Sequence, residues 1–490
     1  MRANYLHYGS PQFRLLSDKQ IEELHFATLQ ILERTGVAFD TCPEALEILS
    51  EAGADVSNPQ RVKIPSYLVE QALRTAPKTI TLYTREGKPA IVLNGQTGCH
   101  FGGTAGFPEV LDPYTGKRRI NYVEDIDDMA RLVDALPNIE WTMTSSTHPT
   151  VPSAVADKIS LLHIVLNTSK PVACSINDAP SLKEMLKVCS IIAGGERELR
   201  NKPFFVGSSE PVTPLCQEKN AMECSLLCAE KGIPNIVYSM PMAGATTPAT
   251  FPGALVLAMA EVLSQLVVLQ LKKPGTPVIF GSMPNFMDMR TTIYPYGAPE
   301  LSFLVAALTE ISHYYKLPMF GTAGCTDSDI IDAQTAAEVT YQILMSALSG
   351  ADFVHDVGVI HWARMLSTEL TVFCNEIIDM VNVSMGGIEI NDETLPLDLI
   401  ERIGPRGTYI SEKHTLKHFR KFWAPTIFDR SVVKDENTKR CQDLLKEKTI
   451  KILETHQPKP LPEDLVKELK KVEESWFKQA GAKYTYPKRP

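Results

Sequence analysis

Glu210, Asp327 and His355 each stand in or just after a short apolar run, and so do His100, Phe101 and Phe353; Arg290, Tyr294, Tyr296 and Trp362 follow such runs at slightly greater distance. Carboxylates and an imidazole can balance a charge or move a proton, and ring faces can hold a cation. Each residue alone has a plainer reading. His355 could be a core histidine satisfied by a neighbouring carbonyl or hydroxyl, each ring could be core packing, and Cys325 reads as a buried thiol. The stretches around them, such as His100-Phe-Gly-Gly-Thr104, Gly207-Ser-Ser-Glu210, Met240-Pro-Met-Ala-Gly-Ala245 and Gly321-Thr-Ala-Gly-Cys-Thr-Asp327, are rich in Gly, Ala, Ser and Thr. Small residues leave room, so the site they frame should be wide and open, suited to a large reagent presented by another protein.

The elements that must position these residues recur with a period of about thirty to forty residues, within the range expected of repeated strand–helix units. Apolar, β-rich runs fall at Cys99–Gly102, Ile139–Met143, Pro171–Ile176, Pro203–Val206, Asn235–Ser239, Pro277–Phe280, Leu317–Phe320 and Asp352–His355. Helix-length segments alternate with them: Val123–Ala135, Ala154–Asn167, Ser181–Ala193, Leu215–Lys231, Phe251–Lys272, Pro299–Tyr315 and Asp329–Ser349. Strands buried on both faces and separated by helices imply a parallel sheet, and eight such units imply closure into a (β/α)8 barrel, a TIM barrel of the α/β class. An open doubly wound sheet is the alternative. The predicted organisation is an N-terminal helical cap over 1–97, the barrel over 98–385, and a C-terminal loop and helical tail over 386–490. In the cap, Asp18–Thr35 and Ser66–Thr75 carry amphipathic spacing, and Pro113-Tyr-Thr-Gly116 predicts a hairpin turn before the first long helix.

Absences narrow the chemistry. No lysine ends a strand, as a Schiff-base aldolase requires, and no H-x-H follows the first strand, as an amidohydrolase metal centre requires. No dinucleotide fingerprint, P-loop or H-E-x-x-H occurs. A zinc site would need Cys325 to meet His355; no metal is expected. The ten cysteines form no C-x-x-C pair, which fits a reducing cytoplasm. Met1–Gln20 lacks the apolar run of a signal peptide, and Phe251–Leu271 is interrupted by Glu261, Gln265 and Gln270, so it reads as a buried helix and no membrane association is expected. A formal net charge of −9 argues against nucleic acid and is compatible with a cationic substrate.

The order of several short motifs resembles the trimethylamine methyltransferase family, and within it the branch without pyrrolysine that demethylates quaternary amines such as glycine betaine. They are Leu16-Ser-Asp-Lys-Gln20, Ile31-Leu-Glu-Arg-Thr-Gly36, Ala52-Gly-Ala-Asp55, Val62-Lys-Ile-Pro65, Phe101-Gly-Gly-Thr104, Lys202-Pro203, Met240-Pro-Met-Ala-Gly-Ala245, Thr326-Asp-Ser-Asp329 and Asp332-Ala-Gln334. The resemblance implies methyl transfer to cobalt(I) of a corrinoid carried by a separate protein. No D-x-H-x-x-G motif for a corrinoid occurs in this chain, so no cofactor is expected to be bound permanently, and the chain shows no nonstandard residue. A homo-oligomer is the expected assembly.

For such a substrate the expected cation pocket comprises Phe101, Tyr294, Tyr296, Phe353 and Trp362, with Glu210 and Asp327 as counter-charges. Arg290, His100 or His355 would meet a substrate carboxylate, as would the N-terminus of the helix after Asp327. His355, beside Phe353 by strand alternation, is singled out first. The basic stretch Lys413, His414, Lys417, His418, Arg420 and Lys421 reads as a solvated face or as a dock for an acidic partner. Rival readings are a barrel methyltransferase that activates a thiol with zinc, demethylation of another betaine or of trimethylamine, and a betaine-binding or corrinoid-protein scaffold without catalysis.

Overall fold

The computed structural model describes residues 12–95, 98–432, 434–435 and 437–489. The part of the signal-peptide reading that falls on residues 1–11 lies outside them. Eight parallel strands close into a barrel: β1 (His100–Ala105), β2 (Trp141–Thr144), β3 (Val172–Ser175), β4 (Phe205–Ser209), β5 (Asn235–Ser239), β6 (Val278–Ser282), β7 (Met319–Thr322) and β8 (Phe353–Val357), with β8 pairing back to β1. Each is followed by a helix: α1 (Val123–Ala135), α2 (Ser153–Asn167), α3 (Ala179–Ala193), α4 (Lys219–Lys231), α5 (Phe251–Lys272), α6 (Pro299–Tyr314), α7 (Ala333–Ser349) and α8 (Thr368–Met385). The open-sheet alternative is thereby excluded.

Local chemistry explains the boundaries. Pro171, Pro234, Pro277 and Pro318 have no N–H to donate, but their carbonyls accept the first ladder bonds of neighbouring strands at 2.9–3.1 Å, so each proline sits at a strand's entrance. Two helices begin later than their sequence pattern suggests because an acid caps them. Asp332 accepts from the Thr335 amide at the start of α7, and Glu218 from the Asn220 and Ala221 amides at the start of α4. Both end on a left-handed glycine, Gly350 and Gly232.

Among the described residues α5 alone is long and apolar enough to cross a membrane, yet it is buried here. It lies between the barrel wall and the helices Asp18–Gln30 and Ser66–Thr75 that pack across it, which is why it is apolar all round. The N-terminal region is not wholly helical, since Ile80–Tyr83 and Pro89–Leu93 form an antiparallel pair. The hairpin around Pro113 is present as Glu109–Leu111 and Arg118–Ile120; with Val359–Ile360 and Met365–Ser367 it makes a four-stranded sheet. The C-terminal helix Glu463–Gln479 is more than a surface element. It buries Leu469, Val472, Trp476 and Phe477, and its Trp476 indole donates to Glu184 of α3 at 2.9 Å.

Candidate active site at the barrel mouth

Strand register decides which side chains enter the lumen, because paired residues of parallel strands share a face. Gly102 pairs with Trp141, Gly281 with Tyr238 and Phe320, and Phe320 with Phe353. The floor of the lumen is therefore aromatic: Trp141 stacks on Phe353 with ring centroids 3.6 Å apart, and Phe320 lies 6.3 Å from both. Gly102 makes this possible, since a Cβ there would fall 2.3 Å from the Trp141 ring. One layer higher, toward the carboxyl ends of the strands, stand Thr104, Met143, Ser175, Ser208, Tyr238, Thr322 and His355 on the same face.

His355 stacks on Phe320 at 4.3 Å and meets the Tyr238 ring edge-on at 6.4 Å. Its Nδ1 lies 2.8 Å from the Gly321 carbonyl oxygen and its Nε2 lies 3.2 Å from Asp356 Oδ2, which also accepts from the Thr322 hydroxyl at 2.8 Å. With alternation unbroken, Asp356 would point away from His355. The β8–β1 pairing slips between Val354 and Val357, and Asp356 adopts φ +74°, so two successive side chains turn to one side. A left-handed backbone at a non-glycine residue carries local strain of about 1–3 kcal/mol, and strain of this kind clusters at functional sites.

Glu210 follows β4 on the lumen-facing parity of Ser208. Glu210 is exposed to solvent at its edge, but the surrounding protein removes part of its solvation and raises its carboxyl to about 7, against a counteracting hydrogen bond from Tyr238. Burial and Glu210 together hold the Tyr238 phenol protonated, as donor. Glu261 of α5, fully buried, is likewise raised to about 7 by burial, although it accepts from the Leu215 amide at 2.8 Å and the Thr213 hydroxyl at 3.1 Å. Among the described residues neither Glu210 nor Glu261 is paired with a lysine, arginine or histidine, and the Glu210 charge raises Glu261 further.

The other sequence-derived candidates divide. Tyr294 and Tyr296 lie with ring centroids 5.0 Å apart, the Tyr294 hydroxyl donating to the Met283 carbonyl, in the field of Asp356 and, for Tyr294, of Glu210. Asp327, raised to about 6 by burial, accepts from the Tyr296 amide at 2.8 Å and from the Gly297 amide, so it fixes the loop that carries the two tyrosines. Trp362 sits in a rim turn where His361, Trp362 and Ala363 all have positive φ, and its ring already carries the Arg364 guanidinium at 5.3 Å. Phe353 faces the lumen as expected but lies in the floor beneath His355.

Three candidates are not brought into the mouth. His100 begins β1 at the opposite end of the barrel, where its Nδ1 pairs with Glu140 at 2.7 Å and its carbonyl accepts from the Trp141 indole at 3.0 Å. Phe101 shares the face of Gly103, whose Cβ would strike Val133 of α1, so it packs into the helical layer. Arg290 extends into solvent with its side chain 91 % exposed, 3.6 Å from Asp288. Cys325 is buried, 3.4 Å from Gln342 Oε1 and 3.9 Å from Thr322, and burial holds it a thiol; among the described residues no group of three His, Cys, Asp or Glu could hold a metal.

Sequence reasoning passed over Tyr238, Trp141, Asp356 and Glu261. Period-two alternation in Asn235-Ile-Val-Tyr-Ser239 could have placed Tyr238 with its neighbours, but nothing in the sequence announces the bulge at Asp356.

A family model described as trimethylamine methyltransferase (MTTB) matches residues 1–474. The chain is 35 % identical over 476 residues to trimethylamine methyltransferase MttB of Desulfitobacterium hafniense (strain DSM 10664 / DCB-2), covering 95 % of this chain and 94 % of that one. It is 30 % identical over 424 residues to glycine betaine methyltransferase of Desulfitobacterium hafniense (strain Y51), covering 86 % and 88 %. In structure it resembles the Methanosarcina barkeri monomethylamine methyltransferase, with TM-score 0.53 at 12 % identity over 96 % of this chain and 90 % of that one, a likeness of fold. On sequence, then, the chain belongs to the trimethylamine methyltransferase family and is a methyltransferase.

Proposed function

We propose that this protein moves a methyl group from a small quaternary amine, with glycine betaine the foremost candidate, to cobalt(I) of a corrinoid presented at the barrel mouth by a separate cytoplasmic protein. The observation that carries the reading is an exposed carboxylate without a basic partner among the described residues, Glu210, which accepts a hydrogen bond from Tyr238 and acts on Tyr294, itself packed against Tyr296. A quaternary ammonium has no hydrogen to donate, so ring faces and a nearby negative charge are what can hold it. Its nitrogen cannot lose its charge, so a neutral tertiary amine departs without prior protonation. No general acid is then required at the nitrogen. The protein's share of the work is to position the methyl for in-line attack and to exclude water.

In this scheme Glu210 supplies the counter-charge, the tyrosines the walls, Phe320 and Phe353 the floor, and Asp327 the geometry of the tyrosine loop. The His355–Asp356 pair, held by Gly321 and Thr322, orients any polar end of the substrate. The reduced corrinoid, as methyl acceptor, supplies the nucleophile. Ser208, Thr104 and Thr322 give the upper layer small, buried polar side chains.

Trimethylamine is the second reading, favoured by the greater identity to a trimethylamine methyltransferase. Incubating the protein with a panel of methylated amines and a corrinoid protein reduced to cobalt(I), while following the absorbance of the methylated corrinoid, separates the two. Demethylation of quaternary amines is the expected result; turnover of trimethylamine alone would select the second reading, and corrinoid-protein binding without turnover of any amine would support a scaffold.

A further inference from the structure

From Asn382 to Thr426 no side chain is buried, although the segment is folded. It contains the helices Leu397–Ile403 and Lys413–His418, tied together by Arg402–Glu412, Lys417–Glu393 and His418–Glu393 ion pairs and by the Thr415 hydroxyl donating to the Tyr409 carbonyl at 2.6 Å. At its far end it is anchored on α8, where the Trp423 indole donates to Asp379 at 2.8 Å and Glu376 accepts from the Thr426 amide and hydroxyl. Between these anchors Ile388, Ile390, Leu397, Ile410, Leu416 and Phe422 are 66–89 % exposed. A run of this length cannot build a core of its own, and isolated monomers do not expose so much apolar surface without function.

Charge is segregated along the segment. Residues 386–401 carry Glu389, Asp392, Glu393, Asp398 and Glu401 with no lysine or arginine; residues 402–421 carry Arg402, Arg406, Lys413, Lys417, Arg420 and Lys421 against Glu412. Glu393, Arg402, Glu412 and Lys417 are paired within the segment, but among the described residues Glu389, Asp392, Asp398 and Glu401 on one half and Arg406, Lys413 and Lys421 on the other have no ion-pair partner, so two identical segments related by a two-fold axis can set acid against base while burying the same apolar residues twice.

The direction of α8 decides which protein lies there. Its start adjoins the mouth, where Thr371 approaches Gly358 after β8, and farther along Asn375 exchanges hydrogen bonds with Asn138 in the turn before β2, at the opposite end of the barrel. The helix continues past that point to Met385, so the segment leaves from the end remote from the mouth. A carrier that must reach the mouth, dock and depart has no use for a surface there. A permanently apolar surface fits a permanent partner present in equal amount. We propose that residues 386–422 form a pairing arm that packs against the same segment of a second copy of this chain.

Sedimentation velocity of the full chain at micromolar concentration is expected to give twice the single-chain mass or an even multiple of it. The variant Ile388→Asp/Ile410→Asp/Phe422→Asp is expected to halve that mass with its far-UV spectrum unchanged. A single-chain mass for the wild type, or an unchanged mass for the folded variant, overturns the proposal. Should the variant fail to fold, amide exchange of the wild type decides: protection over 386–422 that is lost on dilution supports pairing, and exchange independent of concentration overturns it. Protection that arises only when a corrinoid protein is added to single-chain wild type overturns it in favour of a carrier dock.

Discussion

The barrel mouth and the C-terminal clasp, where the helix Glu463–Gln479 and the residues after it meet α1 and α2, both gather charged groups, and they satisfy them in opposite ways. In the clasp the charges of His163, Glu473, Asp125 and Asp128 have partners. Burial alone would lower the His163 imidazole, but Asp127 at 2.8 Å and Glu473 at 3.5 Å outweigh it and hold it at about 9, while Tyr484 and Tyr486 donate to Glu473. Arg489 closes the same side on Asp125 and Asp128. Glu210 at the mouth and the fully buried Glu261 of α5 have no basic partner among the described residues, and burial raises both carboxyls to about 7. Paired charges hold a tail in place. An unpaired carboxylate at the mouth would favour a cation that the chain does not supply, which is the basis on which we propose a binding site there.

The largest expected effect comes from removing the counter-charge. Glu210→Gln should lower kcat/KM for a quaternary amine about 100-fold, roughly the 2–5 kcal/mol of a charge left without its partner, with little change in thermal stability; stopped-flow corrinoid spectra and a melting curve read both. Breaking the clasp should do the reverse. His163→Ala should cost about 3 kcal/mol, the scale for a buried ion pair broken on one side, with turnover per folded molecule unchanged. The sign in pH follows from the raised imidazole: its stabilisation is complete below the unfolded value near 6.5 and is lost as pH rises through about 9. Denaturant midpoints of wild type and His163→Ala should therefore converge toward pH 9.5, about half a unit beyond that titration. Smaller again, Arg290→Ala should change KM less than about two-fold, as befits an exposed side chain away from the site; a large rise in KM would return Arg290 to the pocket.

The eight-unit alternation made the barrel legible, because strands buried on both sides and amphipathic helices leave different periods in the sequence. Helix starts at Asp332 and Glu218 were less so, since a cap is a local hydrogen bond that periodicity does not register. Of the candidate site, the placement of Glu210, His355, Tyr294 and Tyr296 at or beyond the carboxyl ends of the strands was legible from their position in or after apolar runs. Phe101 and His100 were misread for one reason: proximity to a strand end says neither which end nor which face. Asp356 was hidden because a bulge reverses the alternation that sequence reasoning depends on. The pairing of Tyr238 with Glu210 joins two strands, and no short window contains it.

The most direct test of the cation site is calorimetric titration of a quaternary amine into the protein across pH 6 to 8, about one unit either side of the Glu210 value, without corrinoid protein and with Glu210→Gln alongside. Because a raised carboxyl must ionise to meet the cation, wild-type affinity should increase as pH rises through about 7, with proton release on binding at the acid end. Glu210→Gln should bind weakly at every pH with no such release, even though Glu261 titrates in the same range. Wild-type binding that is tight at pH 6 and indifferent to pH, or a pH profile that survives intact in Glu210→Gln, would contradict the account.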